Sequence, residues 1–136
     1  MKKILVMPKS EASNFTSEIP WACISIGCEP GDWPKLNKCQ LVDCLQLAFA
    51  DIDKVTEGFI AFSTKDAQKI WEFVDKVWDQ VDVLVVHCLA GRCRSPAVAA
   101  AISKIKYGDD NMYFSKYTPN TRVYNGLLKY YYRENK

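Results

Sequence analysis

Histidine is almost absent from this 136-residue chain, which holds only His87. A metal site built on imidazoles therefore has at most one such ligand, and the six cysteines do not make up the shortfall. They fall as Cys23/Cys28, Cys39/Cys44 and Cys88/Cys93, each pair with four residues between them, which is not the C-x-x-C spacing of zinc ribbons or thioredoxin-type redox sites. The expectation is no metal and no organic cofactor. An excess of charge is missing too: 18 Lys and Arg stand against 16 Asp and Glu, a net +2 that argues for neither nucleic acid nor a membrane surface as a general partner. No apolar run approaches spanning length, and Met1-Lys2-Lys3 is followed by only Ile4, Leu5, Val6 and Met7 before Pro8, too little for a secretory signal. These absences predict a cytoplasmic protein with no membrane anchor, its thiols reduced and mostly buried. Repeats, linkers and low-complexity tracts are also missing, and nothing in the sequence fixes an oligomeric state.

What is present suits one globular domain over 1–136, with 49% apolar and 25% charged residues. Lys3 to Met7 reads as a first strand and Trp21 to Gly27, with Ile24 and Ile26, as a second. Cys28 to Asn37 carries Pro30, Gly31 and Pro34 and reads as a loop. Gln40 to Ala50 reads as a third strand, with Leu45, Leu47 and Phe49 alternating against Gln46 and Ala48, and ends in Asp51-Ile52-Asp53. Ser63-x-x-Asp66 resembles a capping box, followed at helical spacing by Ala67, Ile70, Val74 and Val77. Trp71 and Trp78 read as packing. Thr118-Pro119-Asn120-Thr121 opens a last helix with Val123, Leu127 and Tyr131 on one face. Strands alternating with helices predict an α/β fold around a mainly parallel sheet.

The stretch 81–102, VDVLVVHCLAGRCRSPAVAAAI, organises the rest. Val81, Val83, Leu84, Val85 and Val86 form the β-branched run of a buried parallel strand. Ser95-Pro96 opens a small-residue helix, proline standing in the first turn where its missing N–H is harmless, and Gly108 suits its end. The loop between them, Cys88-Leu89-Ala90-Gly91-Arg92-Cys93-Arg94, aims backbone N–H groups and a positive helix end at one point, which makes an anion site. The five residues between Cys88 and Arg94 let the loop curl around a tetrahedral oxyanion, with Gly91 easing the curl. Arg94 can grip two oxygens with its planar fork, and the positive helix end favours Cys88 as a thiolate nucleophile.

His87-Cys88-x-x-Gly91-x-x-Arg94-Ser95 resembles the HCxxGxxR(S/T) signature of the cysteine-dependent protein tyrosine phosphatases, and the short chain suggests their compact dual-specificity branch. The resemblance implies a phosphatase-type fold with a strand–loop–helix core and a phosphocysteine formed on Cys88. It further implies that Arg94 holds the phosphoryl group, that Ser95 helps the thiolate leave and that His87 supports the loop. The loop residues Leu89, Ala90, Gly91, Arg92 and Cys93 would cradle the phosphate with Arg94. The family's general acid is an upstream aspartate. Phe49-Ala50-Asp51-Ile52 is similar to the F-D-D-I element of compact bacterial and viral relatives, which aligns Asp51 with that acid, and Asp53 is the alternative. Asp66, Asp75 and Asp79 are expected to face water. Pro119-Asn120 resembles the Pro-Asn that opens the last helix of many dual-specificity phosphatases, where the asparagine supports the active-site loop; a plain helix cap is compatible with that role. Arg92 hints at an anionic substrate, and Cys93 reads as a small filler or as a trap for oxidised Cys88.

The expected function is hydrolysis of phosphate monoesters on a phosphorylated protein or a small phosphoester: phosphotyrosine, with phosphoserine and phosphothreonine open. A phosphoinositide or other polyanion phosphatase and a non-catalytic phosphopeptide-binding module are the alternatives. A rhodanese-like sulfur transferase would place its arginine at position 93, where this chain has cysteine. A cell-cycle-type phosphatase of that fold shares the five-residue gap, but Gly91 and Ser95 favour the tyrosine phosphatase pattern. Pocket depth decides among phosphoesters, and the segments Lys9 to Ile19 and Asp53 to Phe62 are the expected walls.

Overall fold

The computed structural model describes residues 2–135. Its centre is a four-stranded, wholly parallel sheet in the order β1-β4-β2-β3, formed by β1 (Lys3–Pro8), β2 (Trp21–Gly27), β3 (Leu41–Ala48) and β4 (Val83–Cys88). The two inner strands are the ones written without alternation: every residue of β2 and β4 is buried. The edge strands β1 and β3 keep partly exposed residues. Burial of both faces is what a parallel sheet requires, because its crossovers lay chain over each side.

One face carries α2 (Thr64–Val77), α3 (Arg94–Tyr107) and α5 (Thr121–Glu134), packed over Ile24, Ile26, Leu84 and Val86. α3 is buried without a break from Arg94 to Ser103, as its nearly all-apolar composition predicts, and Gly108 closes it at φ +74°. The Ser63/Asp66 capping box opens α2, and Asn120 caps α5 by accepting from the Val123 amide at 3.1 Å. Trp71 is buried and donates from Nε1 to the Leu127 carbonyl at 3.0 Å, tying α2 to α5. The other face is thinner. There the short α1 (Lys9–Ala12) and the Phe15 and Leu36 side chains cover Met7, Trp21, Cys23, Val83 and Val85. A further short helix, α4 (Asn111–Lys116), links α3 to α5.

The structure departs from the sequence reading at the third strand and in the thiols. β3 is Leu41–Ala48 rather than Gln40 to Ala50. Gln40 sits in left-handed backbone at φ +63°, and the Ala50 amide leaves the ladder to donate to the Ile60 carbonyl at 2.7 Å, closing a loop. All six cysteines are free, but only Cys23 and Cys88 are buried; Cys28, Cys44 and Cys93 are half-buried and Cys39 is exposed. The exposed one stands in the polar Asn37–Gln40 turn, which has nothing to bury it.

Because all strands run one way, Pro8, Gly27, Ala48 and Cys88 end at one rim of the sheet. The loop leaving Cys88 is pressed against the end of β1. Gly91 has φ +69°, and a Cβ there would lie 2.7 Å from the Pro8 nitrogen and 2.8 Å from the Met7 carbonyl carbon. Both the left-handed backbone and the close approach demand glycine. Gly91→Ala is expected to destabilise the fold by at least about 2 kcal/mol, the sum of a strained backbone and displaced main chain, read as a lower urea midpoint with unchanged slope. An unchanged midpoint would show that the loop does not need this approach.

Candidate active site

β4 delivers Cys88 to the rim, and α3 begins six residues later with its amino end facing back at the sulfur. The thiol is 2% exposed. Ser95 meets it twice: Oγ lies 3.1 Å from Sγ, and the Ser95 amide points at Sγ from 3.5 Å. A hydroxyl, an amide and a positive helix end thus converge on one sulfur, a geometry that suits an anion-binding loop.

Arg94, the first residue of α3, is 5% exposed, and its Nη1 donates to the Phe49 carbonyl at 2.9 Å and to Cys28 Sγ at 3.3 Å. Both contacts use one nitrogen of the fork. The guanidinium is thereby locked in orientation while its other N–H groups stay available for a bidentate grip on an oxyanion. Leu89 and Arg92 stand exposed on the loop, Ala90 is exposed beside them, and Gly91 is buried beneath. The loop is held from outside by the Lys9 amide on the Leu89 carbonyl at 3.2 Å and the Thr118 amide on the Arg92 carbonyl at 3.0 Å.

Asp51 lies just past β3 on the same rim, and Asn120 joins it to the loop. Asn120 Nδ2 donates to Asp51 Oδ1 at 2.7 Å and to the Ile52 carbonyl at 3.1 Å, while its own amide donates to the Cys93 carbonyl at 2.9 Å. The same side chain caps α5, so capping and bracing coexist in one residue. Burial pushes the Cys93 thiol up, and the Asp51 carboxylate beside it adds to the rise, so Cys93 is kept protonated. Asp51 is exposed at the mouth of the site; Asp53 is also exposed and lines the outer side of the same hollow with Thr56 and Thr121. Asp75 and Asp79 face water, and Asp66 serves the α2 cap.

Several contacts had no signal in the sequence. His87 is fully buried, with Nε2 2.5 Å from Ser25 Oγ on the neighbouring strand and Nδ1 without a hydrogen-bond partner among the described residues. Ser25 pairs with His87 in the sheet register, a partnership 62 residues apart that only the topology reveals. On the same side, Lys9 Nζ reaches Asp32 Oδ1 at 2.8 Å, and Asp32 Oδ2 accepts from the Cys28 amide at 3.1 Å. The Lys9 ammonium, and after it the Cys28 amide, hold the Asp32 carboxyl below the usual range. This bridge joins the exits of β1 and β2, the two strands that flank β4. Cys28, which in the sequence marks only the start of a loop, helps orient Arg94 through its Sγ. The wall facing Asp51 is built by Cys28, Glu29 and Pro30 with Gly58, Phe59 and Ile60, so the expected Asp53 to Phe62 segment contributes; of Lys9 to Ile19, Lys9 and Glu11 meet the other side of the loop beside Ala90 and Arg92, while Ala12 and Phe15 pack under the sheet. Among the described residues, no group of three His, Cys, Asp or Glu side chains could hold a metal, and no helix is long and apolar enough to cross a membrane.

Burial pushes the His87 imidazole below its ordinary value of 6.5, so the ring is neutral in the fold. The unfolded chain takes up a proton there near 6.5, so the stability this ring contributes is whole above that pH and is lost as pH falls toward the folded value. Because it is the sole histidine, the expected decline in unfolding free energy between about pH 7 and about pH 5 should flatten in His87→Gln, whatever that variant's absolute stability. Equal slopes in urea titrations of the two proteins would refute the buried neutral ring.

Compared with known proteins, the sequence matches no family model and no curated protein. Solved structures do match. The human tyrosine phosphatase-like serine/threonine/tyrosine-interacting protein superposes with a TM-score of 0.67 at 22% identity, covering 98% of this chain and 93% of its own. DUSP15 gives 0.65 at 15% identity, over 96% of this chain and 83% of that one. PTPMT1, solved in complex with PI(5)P, gives 0.62 at 15% identity over 96% and 91%. At such identities the likeness lies in the path of the backbone, and it spans nearly the whole chain: this is the fold of the protein tyrosine and dual-specificity phosphatases.

Proposed function

We propose that the chain is a cysteine-dependent phosphatase that hydrolyses phosphate monoesters, with phosphotyrosine in a polypeptide as its preferred substrate. The observation that carries the reading is the sulfur of Cys88, held between the Ser95 hydroxyl and amide at the amino end of α3, with the oriented Arg94 beginning the same helix. A nucleophile placed at the focus of a loop's amides is what phosphoryl transfer needs, since catalysis there is mostly positioning and charge stabilisation.

The steps follow from the groups. The ester dianion docks on the loop amides and the Arg94 fork. The Cys88 thiolate attacks phosphorus in line, an S–P bond forms, and the P–O bond to the leaving group breaks. Asp51 gives its proton to the departing oxygen. Asn120 holds Asp51 at the mouth, and the Cys93 thiol beside it supplies a donor once the acid has become a carboxylate. Water then attacks the phosphocysteine and loses its proton to Asp51. Inorganic phosphate departs, and the Ser95 hydroxyl hydrogen-bonds the thiolate as it is released.

Substrate choice is argued from the walls. A cleft of about 490 Å³ runs beside Asp51 between Pro30 and the Phe59 and Ile60 side chains. Phe59 is 60% exposed, and Leu89 on the phosphate loop 59%. Apolar groups on both sides of the phosphate suit a flat aromatic ester flanked by polypeptide. A phosphoinositide is the second reading. What favours it is Arg92, exposed on the loop and lining a neighbouring cleft of about 650 Å³ in which it and Lys116 outnumber the one carboxylate, Glu11.

The test is hydrolysis of para-nitrophenyl phosphate, a phosphotyrosine peptide and a phosphoinositide in reducing buffer with chelator. Cys88→Ser should abolish turnover while keeping phosphate binding, and Arg94→Lys should cripple both, because a point charge cannot replace the fork. Asp51→Asn should lower kcat by about 10²-fold or more on the phosphotyrosine peptide, less on the better nitrophenol leaving group, with Asp53→Asn near wild type. Turnover in Cys88→Ser would overturn the mechanism, and a larger loss in Asp53→Asn would move the acid. Phosphoinositide turnover above peptide turnover would select the second reading.

A further inference from the structure

A single-sign cluster away from the phosphate loop lies along α5. Arg122, Gly126, Lys129 and Arg133 recur at helical spacing and so share one face. That face, with Tyr130, meets the Phe62-Ser63-Thr64 turn leading into α2, and together they enclose a cavity of about 250 Å³ whose lining includes three cations and no carboxylate. Gly126 is what gives the cavity room. A Cβ there would lie 2.9 Å from Cε2 of the Phe62 ring. Glycine inside a helix costs about 1 kcal/mol relative to alanine, and its place here lets the ring seat against the helix backbone.

The cations are not neutralised by their surroundings. Arg122 donates from Nε to the Phe62 carbonyl at 3.3 Å, which fixes its guanidinium at the wall and leaves its charge unopposed. Lys129 has no ion-pair partner among the described residues, and Arg133 has only the exposed Glu134 at 3.4 Å, a contact of little weight. Asp66, the acid of the first α2 turn, is engaged by the Ser63 amide and hydroxyl and does not line the cavity. In a chain whose net charge is only +2, three cations around one hollow, opposed only by the exposed Glu134 at Arg133, which also stacks on the Tyr130 ring at 5.3 Å, are a local feature rather than a share of a global excess.

We propose that this cavity binds a second anionic side chain, a phosphoryl group or a carboxylate, of the same polypeptide whose phosphorylated residue enters the loop at Cys88. The inference rests on the phosphatase reading for its first anchor and on the cavity for its second. The spacing fits. Asn120 touches the catalytic loop, and Gly126 lies six residues along the helix, about 9 Å at 1.5 Å per residue. An extended peptide covers that distance in about three residues, so the second anion belongs roughly three to five residues from the phosphorylated one. Such an enzyme would prefer multiply phosphorylated or acidic segments to isolated phosphotyrosine.

The experiment compares a phosphotyrosine peptide carrying phosphoserine about four residues away with one carrying alanine there, tested on either side of the tyrosine. The wild type should favour the doubly phosphorylated peptide on the order of tenfold in kcat/KM, mostly through KM. Lys129→Glu with Arg133→Glu should erase the preference while para-nitrophenyl phosphate and the alanine peptide are turned over as before. Lys35→Glu with Lys38→Glu, an equal change of net charge elsewhere, should keep it. Gly126→Ala alters the cavity without altering charge and should weaken the preference too. No preference in the wild type overturns the proposal. So does a preference that survives both α5 variants, or one lost equally in the Lys35/Lys38 pair, which would signal long-range steering. If nothing is hydrolysed, the phosphatase reading fails separately. Fluorescein-labelled versions of the two peptides then decide the cavity by titration: tighter binding of the doubly phosphorylated one that the α5 reversal removes sustains it, and equal binding sinks it.

Discussion

Asn120 is the residue at which distant parts of this chain are made to agree. Its side-chain nitrogen holds Asp51 and the Ile52 carbonyl, its side-chain oxygen caps α5, and its backbone amide holds the Cys93 carbonyl at the end of the phosphate loop. Each bond is ordinary in strength. Their effect comes from sharing one nearly buried side chain, so that the aspartate, the loop and the last helix cannot move independently. The parallel sheet brings β3 and β4 to one rim, but a rim alone leaves its loops free; the asparagine converts proximity into a set distance.

The remaining contacts at the rim have the same character. Arg94 is tied to the Phe49 carbonyl and to Cys28, and the Lys9–Asp32 pair joins the exits of the strands on either side of β4. On the proposed function, groups that would meet a phosphoryl oxyanion are thereby oriented before it arrives, which is the condition under which fixed dipoles stabilise a transition state without reorganising. Gly91 completes the arrangement from below by letting the loop rest on the β1 backbone.

Much of this could be read from the residues, and the part that could not has a common cause. The run before Cys88, the proline in the first turn after it and the glycine at position 108 are local signals, and strand, loop and helix stand where those signals put them. The Ser63 and Asn120 caps are local as well. Ser25 against His87, Cys28 against Arg94, Lys9 against Asp32 and Trp71 against the Leu127 carbonyl are pairs between segments far apart in sequence. No periodicity announces them, because they depend on strand order, which alternation of elements leaves open. α1 and α4 leave no mark in the sequence for another reason: with four and six residues they are too short to show a repeat, and tertiary contacts rather than propensity hold them.

The bond from the Ala50 amide to the Ile60 carbonyl pinches the intervening segment at its base. Asp51 sits inside that pinch next to one anchor and Phe59 next to the other, whereas Val55 rides at the exposed tip. Closure entropy changes little as a loop grows, so residues can be inserted or exchanged at the tip while the base stays put. The chain thus separates what must stay constant for chemistry from what can drift for recognition. A lineage using this scaffold could acquire new binding partners by rewriting the tip alone, Asp51 never leaving the clasp of Asn120.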